Sequence, residues 1–104
     1  MPPNKQYDFL VIGSGITGLF YGLKVAGHGT VAIATKAELE ESNTNYAQGG
    51  IASVFSPDDS FEMHIKDTLE AGRGIYHPEV VHQIVEQGPA MIVELQELGT
   101  RFTL

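Results

Sequence analysis

Three glycines, Gly13, Gly15 and Gly18, stand in the stretch GSGITG at residues 13–18. Their spacing lets a chain receive a diphosphate on bare backbone. The first glycine permits a tight turn, the second leaves space where a side chain would block the ligand, and the third lets a helix lie close on a strand. Ser14, Ile16 and Thr17 fill the positions between them and act through backbone N–H groups at a helix start, where unpaired amides and the positive helix end favour an anion. A second stretch, NTNYAQGGIASVF at residues 43–55, joins the pair Gly49 and Gly50 to amide and hydroxyl side chains and then to an apolar run. Such small residues suit backbone that lies flat against a large planar ligand, with Thr44 and Gln48 able to hydrogen-bond to it.

A diphosphate turn needs a strand before it and a helix after it, and the flanking residues supply both. YDFLVIG (residues 7–13) reads as a strand whose continuous apolar run, Phe9 to Ile12, is expected when both faces of a sheet are covered. SGITGLFYGLKVAGHG (14–29) reads as a helix with Leu19, Leu23 and Ala26 on one face and Gly27 or Gly29 at its end. TVAIAT (30–35) is a second strand, reached by a right-handed crossover. The expected class is therefore α/β: the start of a Rossmann-like domain with parallel strands in β-α-β order, followed by a long loop and then helices.

The loop covers residues 36–60, with room for one short helix, and loops of that length tend to be functional. DDSFEMHIKDTLEAGRG (58–74) predicts a helix with Asp59 and Glu62 as a capping box, a stripe of Phe61, Ile65 and Leu69, and Gly72 or Gly74 as its end. HPEVVHQIVEQG (77–88) predicts another, with Pro78 in its first turn, and Pro89 is expected to start a separate segment that stops at Gly99. Two strands alone leave both sheet edges open, which is marginal for an independent fold. Residues 1–104 therefore read as the incomplete N-terminal part of a larger domain.

Composition narrows the function. The 104 residues carry a formal charge of -7 with no run of Lys or Arg, a surface that repels nucleic acid. No apolar segment approaches the roughly 20 residues that span a bilayer, and MPPNKQYD lacks the apolar core of a secretion signal. Without cysteine there is no disulfide frame, thiolate metal site or Cys nucleophile, and the cytosol is the default compartment. His64 and Asp67 lie three apart, but two groups do not make a metal site, and a structural hydrogen-bonding role is expected. His28, His77 and His82 receive no catalytic role, and Met63 and Met91 are expected in the core.

One position departs from the dinucleotide pattern. An acidic residue usually ends the second strand and holds a ribose hydroxyl. Here Thr35 stands at that place, followed by Lys36. Either the ribose is held differently, with Lys36 taking part, or the ligand is not a standard nicotinamide dinucleotide. Glu38, Glu40 and Glu41 read as a solvated face.

DFLVIGSGITGL, TKAELEESNTNYAQGGIASVF, DDSFEMHIKDTLEAGRG and the closing LQELGTRF together resemble the succinate dehydrogenase and fumarate reductase flavoprotein superfamily, and within it the L-aspartate oxidase family. The resemblance covers essentially the whole chain, and YAQGGIA is its most specific part. It implies FAD, with its diphosphate on Gly13, Ser14, Gly15, Ile16, Thr17 and Gly18. Lys36 would lie near the adenosine half, and Asn43, Thr44, Asn45, Tyr46, Ala47, Gln48, Gly49 and Gly50 would line the flavin. Membrane-associated relatives carry a flavin-bonding histidine just before the threonine. Asn43 stands in that place and cannot form the bond, which implies non-covalent FAD. A hydroxyl residue followed by Lys at the second strand's end is likewise similar to the L-aspartate oxidase pattern.

The implied reaction is oxidation of L-aspartate to iminoaspartate, with dioxygen or fumarate as acceptor and quinolinate synthase as the next enzyme in NAD biosynthesis. The arginines and histidines that hold the dicarboxylate in this family lie in a later capping domain. Neither Arg73 nor Arg101 matches them, so no catalytic residue is assigned. The isolated stretch is expected to be marginally stable, to bind FAD weakly and not to turn over. Two other readings stay open: the same segment of a soluble fumarate reductase, and a non-catalytic truncated binding module.

Overall fold

A computed structural model describes residues 5–38, 43–46 and 50–103. The chain forms two compact units, residues 1–49 and 50–104. In the first, β1 (Phe9–Ile12), α1 (Ile16–Val25), β2 (Val31–Ala34) and a single helical turn α2 (Asn43–Tyr46) follow one another. β1 and β2 pair in parallel, with Phe9 opposite Val31 and Val11 opposite Ile33. Parallel neighbours need a crossover, and α1 is that crossover. The expected β-α-β order and the short helix within the long loop are both present.

Glycines bring α1 onto the sheet. A Cβ at Gly22 would lie 3.6 Å from Ile33 Cδ1 and 3.8 Å from Val31 Cγ1, and one at Gly18 would lie 3.1 Å from Val11 Cγ1. The glycine face of α1 therefore rests on Val11, Val31 and Ile33. Leu19 and Leu23, the apolar stripe seen in the sequence, are exposed instead. The helix ends at Ala26, whose N–H donates to the Gly22 carbonyl, and not at Gly27 or Gly29. On the opposite sheet face Leu10 is 62% and Ile12 85% exposed. α1 is long enough to cover one face of two strands and no more.

At the far end of the strands, Asp8 Oδ2 accepts from both the N–H and the hydroxyl of Thr30. Those two bonds, the backbone one foremost, hold the Asp8 carboxyl below its ordinary range.

In the second unit α3 (Phe61–Gly72) packs on α4 (Pro78–Glu97). Ile65 and Val85 are buried, with Phe61 and Leu69 partly so, as the stripe predicts. The cap differs from the expected box. Ser60 is the N-cap and its Oγ accepts from Met63 N–H at 3.1 Å, while Asp59 Oδ1 accepts from Ser60 N–H at 2.8 Å. Asp59 stands one residue too early to reach the helix amides. α3 ends through Arg73 and Gly74, both left-handed, at φ 48° and 86°.

Pro78 occupies the first turn of α4, as expected, but Pro89 does not break the helix, which runs unbroken for 20 residues. A proline disfavours helical geometry in the residue before it partly through that residue's Cβ. Gly88 has none, so α4 passes through at the cost of one hydrogen bond. At its end Gly99 (φ 103°) is the expected stop, with Thr100 N–H donating to Leu95 O and Gly99 N–H to Gln96 O. Met63 and Met91, expected in the core, are 56% and 40% exposed. Among the described residues no helix is long and apolar enough to cross a membrane.

Candidate functional site

The site begins where β1 stops. Gly13 continues the ladder by one bond, its N–H donating to the Ala34 carbonyl at 2.8 Å, and then turns with φ +107°. That conformation is strained for any residue with a Cβ. Ser14 follows, only 6% exposed, with its Oγ 3.3 Å from Thr35 Oγ1 just past the end of β2. Gly15 is the N-cap of α1 and offers no side chain to the helix amides. Gly18 sits so close to Gly13 that a Cβ would overlap the Gly13 carbonyl oxygen. The three glycines thus serve three separate ends: a turn, an open approach and a tight helix–strand contact.

The first four amides of a helix have no intrahelical acceptor. In α1 that of Ile16 donates to Thr44 Oγ1 at 3.1 Å, which ties α2 to the helix start. A Cβ at Gly15 would make ordinary contact with the same oxygen, at 3.5 Å. The first turn of α1 carries no acidic side chain. A helix start whose N-cap residue has no side chain, whose first turn holds no acidic residue and whose first amide alone is bonded, to Thr44, is chemistry for a phosphate anion. The geometry therefore fits the diphosphate of a dinucleotide.

The structure brings Gly13, Ser14, Gly15, Ile16, Thr17 and Gly18 together at this turn and places Thr44 against it. Lys36 follows Thr35 at the end of β2, exposed, and Tyr46 is 65% exposed on α2. Asn43 and Asn45 share that helical turn. Ala47, Gln48 and Gly49 lie outside the described residues, as do Glu40 and Glu41 of the acidic stretch. Gly50 opens the second unit, exposed, with nothing within 4 Å of where a Cβ would stand. Sequence reading treated Thr35 as a missing acid and did not see its link to Ser14. Two hydroxyl residues 21 apart give no local signal of contact.

In the second unit Ile51, Ala52, Ser53, Asp59, His64 and Asp67 line a shallow polar notch. Among the described residues no group of three or more His, Cys, Asp or Glu is placed to hold a metal ion. The His64 carbonyl accepts from the Thr68 hydroxyl at 2.8 Å. Ser53 Oγ is buried without a hydrogen-bond partner among the described residues, and a Cβ at Gly88 would lie 2.8 Å from it.

A parallel β-α-β unit with this turn defines a dinucleotide-binding protein. The family described as "FAD binding domain" matches residues 8–104, and the chain belongs to it. FAD is accordingly the dinucleotide this turn fits. Among curated relatives, L-aspartate oxidase 2-a, chloroplastic, of Nicotiana tabacum is 54% identical over 98 residues, which are 94% of this chain and 15% of that protein. The L-aspartate oxidase of Synechocystis is 44% identical over 98 residues, 94% of this chain and 18% of that protein. Among solved structures, a mutant E. coli quinol fumarate reductase matches with a TM-score of 0.82 at 29% identity, covering 94% of this chain and 18% of that one. The chain spans less than a fifth of the length of these proteins.

Proposed function

We propose that these residues are the FAD-binding opening of an L-aspartate oxidase, which converts L-aspartate to iminoaspartate and passes its electrons to dioxygen or fumarate. The observation that carries this reading is the glycine turn at the start of α1, in a chain 54% identical to an L-aspartate oxidase over nearly all its length. FAD, when bound, supplies the hydride acceptor. The residues present here bind and orient. The start of α1 faces the diphosphate, Lys36 sets a cation beside the adenosine half, and residues 43–50 line the flavin. With Asn43 where covalent flavoproteins carry histidine, attachment is non-covalent. No catalytic residue is assigned within residues 1–104. The product's imine makes quinolinate synthase, in NAD biosynthesis, the natural next enzyme, and the cytosol the proposed compartment.

A second reading, a soluble fumarate reductase, is favoured by the fold match to quinol fumarate reductase. One experiment separates the two. The complete protein carrying these residues is loaded with FAD and given L-aspartate without oxygen. Bleaching of the flavin absorbance, reversed by air with release of hydrogen peroxide, supports the oxidase. A flavin that aspartate leaves oxidised, yet that turns over fumarate when reduced, sinks it.

A further inference from the structure

We propose that Thr35 is a positioning residue for the phosphate turn, acting through Ser14 and not on the ligand itself. The inference rests on the FAD reading above. Backbone pairing between β1 and β2 ends at Ile12 and Ala34. One further backbone bond, Gly13 N–H to Ala34 O at 2.8 Å, carries the ladder into the turn. The Ser14–Thr35 hydroxyl pair at 3.3 Å then extends it by a side-chain rung.

That rung lies where restraint is scarcest. Ser14 sits between Gly13, turned at φ +107°, and Gly15, the two residues whose backbones have most freedom to move. A hydroxyl as buried as that of Ser14 needs a partner, and among the described residues Thr35 Oγ1 supplies one. A side chain at the end of β2 in dinucleotide folds ordinarily reaches outward to a ribose through a carboxylate. Here the corresponding side chain is short and reaches inward, to the turn. The end of β2 fixes the amides that meet the diphosphate, and the adenosine ribose is left to other groups.

The test is a double-mutant cycle on the complete protein carrying these residues, read as the FAD dissociation constant by flavin fluorescence. Thr35→Val keeps the shape and removes the hydroxyl, Ser14→Ala removes its partner, and Thr35→Ser keeps the bond. Each deletion is expected to weaken FAD about five- to tenfold, the worth of one hydrogen bond. The double variant should be no weaker than either single one, and Thr35→Ser should bind like the parent. Weakening by Thr35→Val alone, additive losses, or no loss from either deletion overturns the inference. Amide exchange of residues 13–17 without FAD gives a second readout. Equal acceleration by the two deletions supports the rung, and no acceleration overturns it. A parent protein that binds no FAD defeats the FAD reading, while the exchange result still decides the rung.

Discussion

Asp8 and Thr30 clasp each other at the outer end of the two strands. Asp8 Oδ2 accepts from Thr30 N–H at 2.7 Å and from the Thr30 hydroxyl at 2.8 Å, and Asp8 N–H donates back to Thr30 Oγ1 at 3.2 Å. Gly29 makes room for this, since a Cβ there would lie 2.7 Å from Asp8 Oδ2 and 2.9 Å from two of its carbons. The clasp sets Phe9 opposite Val31, and the register it fixes delivers Gly13 to Ala34 at the other end.

The clasp makes stability depend on pH. The Thr30 bonds favour the charged carboxylate, so Asp8 titrates lower in the folded chain than in the unfolded one. Its contribution is complete above the unfolded value and is lost as pH falls through the folded one. Asp8→Asn should therefore unfold at lower temperature than the parent near neutral pH, and the gap should close on acidification past the ordinary aspartate range. Thermal melts across that range read it directly.

Gly18 and Gly27 give opposite expectations for the same substitution. At Gly18 a Cβ meets the Gly13 backbone and Val11, neither of which can swing aside, so Gly18→Ala should cost about 2 kcal/mol or more and abolish FAD binding. At Gly27 nothing lies within 4 Å, and Gly27→Ala should be neutral or slightly stabilising. Denaturant unfolding with FAD titration compares the two.

Ser60→Ala should remove the cap of α3 and cost about 1 kcal/mol. Asp59→Ala should cost less, because Asp59 bonds the Ser60 amide and not the helix. If the two losses proved equal, or their order reversed, the cap would be assigned to the wrong residue.

Gly88→Ala should crowd both Ser53 and Pro89. A Cβ at Gly88 lies 2.8 Å from Ser53 Oγ but 3.8 Å from Ser53 Cβ, so Ser53→Ala in the same chain should recover the part of the loss due to that contact. We expect a loss of about 1 kcal/mol for Gly88→Ala and partial recovery in the pair. Unfolding of both variants and the double one measures the coupling.

Much of this was legible before the fold. The turn was readable because glycine spacing and the apolar runs around it agree, each supporting the other. The stripe of Phe61, Ile65 and Leu69 found its partner helix for the same reason. What escaped notice depended on neighbours distant in sequence or on a single missing atom. Asp59 and Glu62 matched a box by spacing, but Ser60, one residue on, was better placed. Pro89 looked like a break, and the absent Cβ of Gly88 removed the reason.

The uncovered face of the sheet has a practical consequence. Leu10 and Ile12 present a greasy ledge to water, and such surfaces attract one another. A solution of this chain by itself should thicken into larger species as it is concentrated and disperse on dilution, so light scattering against dose will say how much of its behaviour belongs to a single molecule.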